Sequence, residues 1–102
     1  MIRVVVTDLA DADTAKIIND LARDAGPAVA SDYNTRIEAL YDRLANAPES
    51  YQARPKLGAN IRVGVVFPYL VIYRYLKADD TVSIIRVIDG RRNVTRRLLR
   101  GR

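Results

Sequence analysis

Tyr69-Leu70-Val71-Ile72-Tyr73-Arg74-Tyr75-Leu76-Lys77, then Ala78-Asp79-Asp80, then Thr81-Val82-Ser83-Ile84-Ile85-Arg86-Val87-Ile88 is the stretch that decides the architecture. Both runs are rich in β-branched and aromatic residues, and an acidic turn separates them. They read as two strands joined as an antiparallel hairpin. A third strand precedes them, about Ile61–Val66, with Phe67-Pro68 as its turn. A two-residue turn at Asp79-Asp80 would pair Lys77 with Val82, Tyr75 with Ile84 and Tyr73 with Arg86. That register places Arg86 beside the Tyr73 and Tyr75 rings, with Arg74 on the opposite face.

Working back from this meander, residues 48–60 form a loop with two prolines and a glycine. Before it, Tyr33, Ile37, Leu40, Tyr41 and Leu44 follow helical spacing, so a helix is expected over about Pro27–Ala47. Pro48 ends it. An earlier helix, about Ala10–Asp24, carries Ala10, Ile17, Ile18 and Leu21 on one side. Gly26-Pro27 suits the end of one helix and the start of the next, giving an antiparallel helical hairpin. Residues 2–6 read as a short strand. Asp8, Asp11 and Asp13 follow it, and their reading is charge at a helix start rather than a metal site. The expected fold is α+β, in the order β-α-α-β-β-β. An antiparallel sheet packs on the N-terminal helical hairpin, and a basic C-terminal tail follows. One domain spans residues 1–102.

Composition narrows the chemistry. The chain of 102 residues has no cysteine and no histidine, so thiol and imidazole catalysis are excluded. The net charge of +5 is unevenly spread. Residues 1–53 hold nine acidic and five basic side chains; residues 54–102 hold three acidic and twelve basic. Arginine dominates the cations, and its planar fork suits phosphates and carboxylates. Such asymmetry points to an anionic partner, whether nucleic acid or an acidic protein surface. The run Val63–Tyr73 is too short to span a bilayer, and the N-terminus lacks a signal peptide's apolar core. A cytoplasmic protein with no membrane association is expected, with neither cofactor nor metal.

Several motifs occur together. They are Thr7-x-x-Ala10-x-x-Asp13-x-x-x-Ile17, Leu40-x-x-x-Leu44-x-x-x-Pro48, Gly58-x-x-x-Arg62, Pro68–Arg74, and Val82-Ser83-Ile84-Ile85-Arg86-Val87-Ile88-Asp89-Gly90-Arg91-Arg92-Asn93-Val94. In this order and spacing, the chain resembles the RelE/ParE superfamily of toxins from type II toxin-antitoxin systems. Asp89 stands where the ParE-like branch usually has histidine, and Asn93 where it has aspartate.

The resemblance implies a toxin neutralised by a cognate, ParD-like antitoxin in a hetero-oligomer. It also implies an activity: ParE-like inhibition of DNA gyrase by binding or, as alternatives, RelE-like cleavage of mRNA on the ribosome or action of the same fold on another target. The RelE-like branch relies on lysine, arginine and tyrosine for its chemistry. Here no lysine lies between Lys56 and Lys77, Leu70 follows Tyr69, and no tyrosine follows Tyr75. Arginine does not serve as a general base near neutrality. The ParE-like reading is therefore preferred, with no catalytic residue assigned. Candidate target contacts are Arg62, Arg74, Arg86, Arg91, Arg92, Arg96 and Arg97. Candidate antitoxin contacts are Ile17, Leu21, Tyr33, Ile37 and Tyr73. A nucleic-acid-binding module without toxicity is the remaining reading of the basic half.

Overall fold

The computed structural model describes residues 2–91 and Leu99. Strand β1 (Arg3–Val6) leads into helix α1 (Asp8–Ala25) and helix α2 (Pro27–Asn46). After a loop containing a short 3-10 turn at Pro55–Leu57 come β2 (Ile61–Val66), β3 (Tyr69–Leu76) and β4 (Thr81–Asp89). The basic tail beyond Arg91 lies outside the described residues, apart from Leu99.

Thr7 sets the start of α1. Its hydroxyl accepts from the Ala10 amide at 3.2 Å and donates to the Ile84 carbonyl at 2.8 Å. One side chain thus caps the helix and ties it to β4. Asp8 and Asp11 lie in the first turn, where negative charge suits the exposed N–H groups. Gly26 separates the helices with φ 97°, a conformation that disfavours any residue with a Cβ. Pro27 then opens α2, where its missing N–H costs nothing.

The sheet order is β1-β4-β3-β2. β2–β3 and β3–β4 are antiparallel, as expected for short turns. β1 differs: it runs parallel to β4, pairing Val4 with Val82 and Val6 with Ile84. The sheet is therefore mixed rather than antiparallel throughout. Two helices and a long loop separate β1 from the meander, and a connection of that length permits parallel pairing.

The hairpin register also departs from the two-residue turn. Lys77–Asp79 form a 3-10 turn and Asp80 adopts a left-handed conformation (φ 47°), so Leu76 pairs with Thr81. Tyr73 then faces Ile84 rather than Arg86. A register shift follows between Ile72 and Tyr73, placing Arg86 opposite Ile72. The shift leaves Ile85 as the extra residue of β4, a β-bulge that re-aims its neighbours.

Both helices lie on one face of the sheet. The main core there joins Ala10, Ile37, Leu40 and Leu44 to Val71, Tyr73, Val82, Ile84 and Val87. Tyr73 is fully buried, and its hydroxyl donates to the Pro48 carbonyl at 2.8 Å. Burial pushes this phenol up to about 12. Tyr73→Phe should lower stability by about 1–2 kcal/mol, read by urea denaturation, because the Pro48 carbonyl loses its donor. A second apolar cluster, Ile61, Val63, Ile72 and Ile88, occupies the opposite face, with Leu99 packed against it.

The Phe67–Pro68 turn, whose peptide bond is cis, is closed from the far end of β4. The Gly90 amide donates to the Pro68 carbonyl at 2.7 Å. A Cβ on Gly90 would stand 2.8 Å from that same oxygen. Gly90→Ala should therefore cost about 1–3 kcal/mol, visible as a lower denaturation midpoint, because the backbone must shift to admit the methyl.

Candidate partner-binding groove

The end of β4 and the middle of α1 are held together by one charged pair. Arg86 donates to both carboxylate oxygens of Asp13, through Nε at 2.7 Å and a terminal nitrogen at 2.9 Å. The Val87 amide adds a third bond to Asp13 at 3.0 Å. Both side chains are nearly inaccessible, at 10% and 14% exposure. Asp13 is thus a strand-facing anchor rather than a cap. The Asp13 hydrogen bond raises the guanidinium pKa further above its already high value.

Beside this anchor runs a groove of about 310 Å³, between α1 and the β3–β4 end of the sheet. Ile17 and Leu21 from α1 line one side, and Tyr69, Val87 and Ile88 line the other. Tyr33 of α2 meets Tyr69 edge-on, with ring centroids 5.6 Å apart, and carries the Arg36 guanidinium 5.2 Å from its own centroid. Burial, followed by Tyr33, raises the Tyr69 phenol. Carboxylates at the rim are paired: Asp20 with Lys16 and Arg23, and Asp89 with Arg91. The Arg91 side chain holds the Asp89 carboxyl down to about 2. The groove therefore offers apolar surface between largely neutralised charges.

The structure brings Ile17 and Leu21 together in this groove, with Tyr33 alongside through Tyr69. It places Ile37 and Tyr73 in the core, at 1% and 0% exposure. Among the arginines, Arg86 is sunk against Asp13 at 8% exposure. Arg62 reaches the Tyr51 carbonyl at 2.6 Å and Glu49 at 3.7 Å. Arg74 is exposed and leans on the Ala59 carbonyl at 3.4 Å. Arg91 is exposed and bonded to Asp89, its Nε lying 2.9 Å from Oδ1. Arg92, Arg96 and Arg97 lie outside the described residues. Sequence reasoning missed Tyr69, Val87 and Ile88 as groove residues. The pairing that seats Tyr69 opposite Asp89 depends on the hairpin register, which the alternation of apolar residues does not set, so no sequence signal marked them. Among the described residues, no group of three acidic side chains is placed to hold a metal ion.

Comparison with known proteins follows the same lines. Residues 4–94 match the family model described as the ParE toxin of the type II toxin-antitoxin system, parDE. The chain belongs to the ParE toxin family. It is 35% identical over 96 residues to Toxin ParE3 of Caulobacter vibrioides, covering 94% of each chain. Its fold matches a chain of the chromosomal ParDE TA system from P. aeruginosa with a TM-score of 0.72, at 20% identity. That match covers 87% of this chain and 96% of the other. Membership of the family accounts for the co-occurrence of the α1 motif around Asp13 and the β4 motif around Arg86, whose side chains meet here. Among the described residues, no helix is long and apolar enough to cross a membrane.

Proposed function

We propose that this ParE-family chain is a cytoplasmic toxin that blocks DNA gyrase by binding it, and that a ParD-like antitoxin neutralises it. The observation that carries the binding reading is the face of the sheet turned away from the helices. Its buried centre is Ile61, Val63, Ile72 and Ile88, four aliphatic side chains at 0–8% exposure. Cleavage of a phosphodiester needs an acid, a base and cations gathered around one phosphate, and aliphatic groups supply none of them. Arg86 is engaged by Asp13. The chain therefore acts as a single domain that binds rather than cuts.

The groove along Ile17 and Leu21 receives the antitoxin in this reading, as an amphipathic segment laid against its apolar walls. Two exposed arginines of the candidate target contacts, Arg74 and Arg91, are left to face the target. The purified chain should abolish supercoiling by gyrase in vitro, and addition of antitoxin should restore it. Full supercoiling activity, alongside ribosome-dependent cutting of mRNA, would overturn the proposal in favour of a RelE-like nuclease.

A further inference from the structure

Between Arg54 and Lys77 the sequence holds five cations, Arg54, Lys56, Arg62, Arg74 and Lys77, and no carboxylate. The fold gathers them at one end of the sheet, remote in sequence from the α1 groove. The Arg54 amide bonds the Ile61 carbonyl at 2.8 Å, and Ile61 pairs with Arg74. Arg54, Ile61 and Arg74 therefore form one row across three adjacent segments. With neighbouring strands about 4.8 Å apart, the two arginine backbones stand about 10 Å from each other. Beside this row opens a cleft of about 490 Å³, lined by Arg62, Lys77, Tyr75 and Asn60, with Glu49 as its single acidic side chain. Arg54, Lys56, Arg74 and Lys77 are exposed. Among the described residues none of these four makes an ion pair. Asp79 and Asp80 sit beyond Lys77 in the hairpin turn.

The geometry points to this end of the sheet as a binding site for the sugar-phosphate backbone of a single-stranded nucleic acid. Arginine forks and a lysine ammonium neutralise successive phosphates. Tyr75, part-buried against the helix-side core, turns the rest of its ring to the cleft, where a base can stack, and Asn60 offers an amide for the base edge. An acidic peptide would use the charges and the amide but has no base to stack on the ring. Arg62 forms the cleft wall, held in place by the Tyr51 carbonyl, while Glu49 opposes an anion. The site shares Arg74 with the surface left to face gyrase, but its binding of a single strand does not depend on that reading.

Short fluorescein-labelled oligothymidylate and oligouridylate, titrated with the intact protein at several salt concentrations, test the site. Both probes carry the phosphodiester chemistry, and the tighter one identifies DNA or RNA as the source. Wild-type protein should bind at low salt and lose affinity steeply as salt rises. Arg54→Glu with Lys77→Glu should weaken binding at least about tenfold and reduce the slope of log affinity against log salt by about 1.4, which is two single-strand contacts. Glu49→Gln should tighten binding. All three changes fall on solvent-accessible side chains, and a circular dichroism spectrum checks that each variant is folded. The pair Arg36→Glu with Arg43→Glu makes the same change in net charge on α2 and should leave affinity within about twofold. Equal weakening by the two charge reversals, loss on changing only Arg96 and Arg97, or no binding by the wild type at low salt would each overturn the assignment.

Discussion

Asp13→Ala is expected to lower stability by about 3–5 kcal/mol, because it strands a buried guanidinium without its anion. Three donors converge on that carboxylate, Nε and a terminal nitrogen of Arg86 and the Val87 amide. A domain of this size has about 5–15 kcal/mol to lose in all, so much of the margin would go. With about 4–8 °C lost per kcal/mol, the melting temperature should fall by more than about 12 °C. The double variant Asp13→Leu, Arg86→Met should recover most of the loss, since apolar residues of similar size avoid the desolvation of both charges. The Val87 amide then remains unpaired, at about 1–3 kcal/mol. Guanidinium denaturation of the single and double variants measures both effects. A single-variant loss below about 1 kcal/mol would put this pair among ordinary surface bridges.

Ile17→Glu is expected to separate toxicity from its neutralisation. Ile17 is half-buried on the wall of the α1 groove, so the free protein tolerates the change at a cost of about 1 kcal/mol or less. An antitoxin segment laid into the groove would have to strip water from the new carboxylate, while Lys16 and Arg91 at the groove are already paired with Asp20 and Asp89. An apolar anchor at an interface centre is worth about 2–4 kcal/mol, so antitoxin affinity should drop by about thirtyfold to a thousandfold. Cells expressing the variant together with antitoxin should stop growing, whereas those carrying the wild-type pair should not. Val29→Glu, at a more exposed apolar position on α2 outside the groove, should leave neutralisation intact. Full neutralisation of Ile17→Glu would move the antitoxin to another surface.

Element order and the two helices were legible because periodicity and punctuation agreed. Gly26-Pro27 and Pro48 marked helix ends, and Tyr33, Ile37, Leu40 and Leu44 marked the inner face of α2. Register was not legible, for two local reasons. Lys77–Asp79 coil into a 3-10 turn, so the hairpin closes at Leu76 and Thr81 rather than at a two-residue turn. The shift between Ile72 and Tyr73 then changes which residue faces which. Neither follows from alternation of apolar residues, which a two-residue slide preserves. The direction of β1 was equally hidden, since a helical pair plus a loop can return the chain either way.

The candidate site was legible in part. Ile17 and Leu21 were visible as a half-polar helix stripe. Arg86 looked like any strand arginine, because nothing in its neighbourhood announces a carboxylate 73 residues away. Tyr73 looked like a contact residue because rings at strand positions serve cores and interfaces alike. Its hydroxyl bond to Pro48 is what allows a tyrosine to sit at zero exposure.

The parallel seat of β1 beside β4 has a consequence for how the protein comes into being. Val4 meets Val82, and Thr7 meets Ile84, across nearly the whole length of the chain. On a ribosome, the first strand emerges long before its partner exists. The helical hairpin can form early from local contacts, but the sheet cannot be completed until the last strand has cleared the exit tunnel. Contacts of such long range make closure slow. The finished toxin surface should therefore appear only after β4 has emerged and paired with both β1 and β3, which leaves an interval in which antitoxin can meet an unfinished chain.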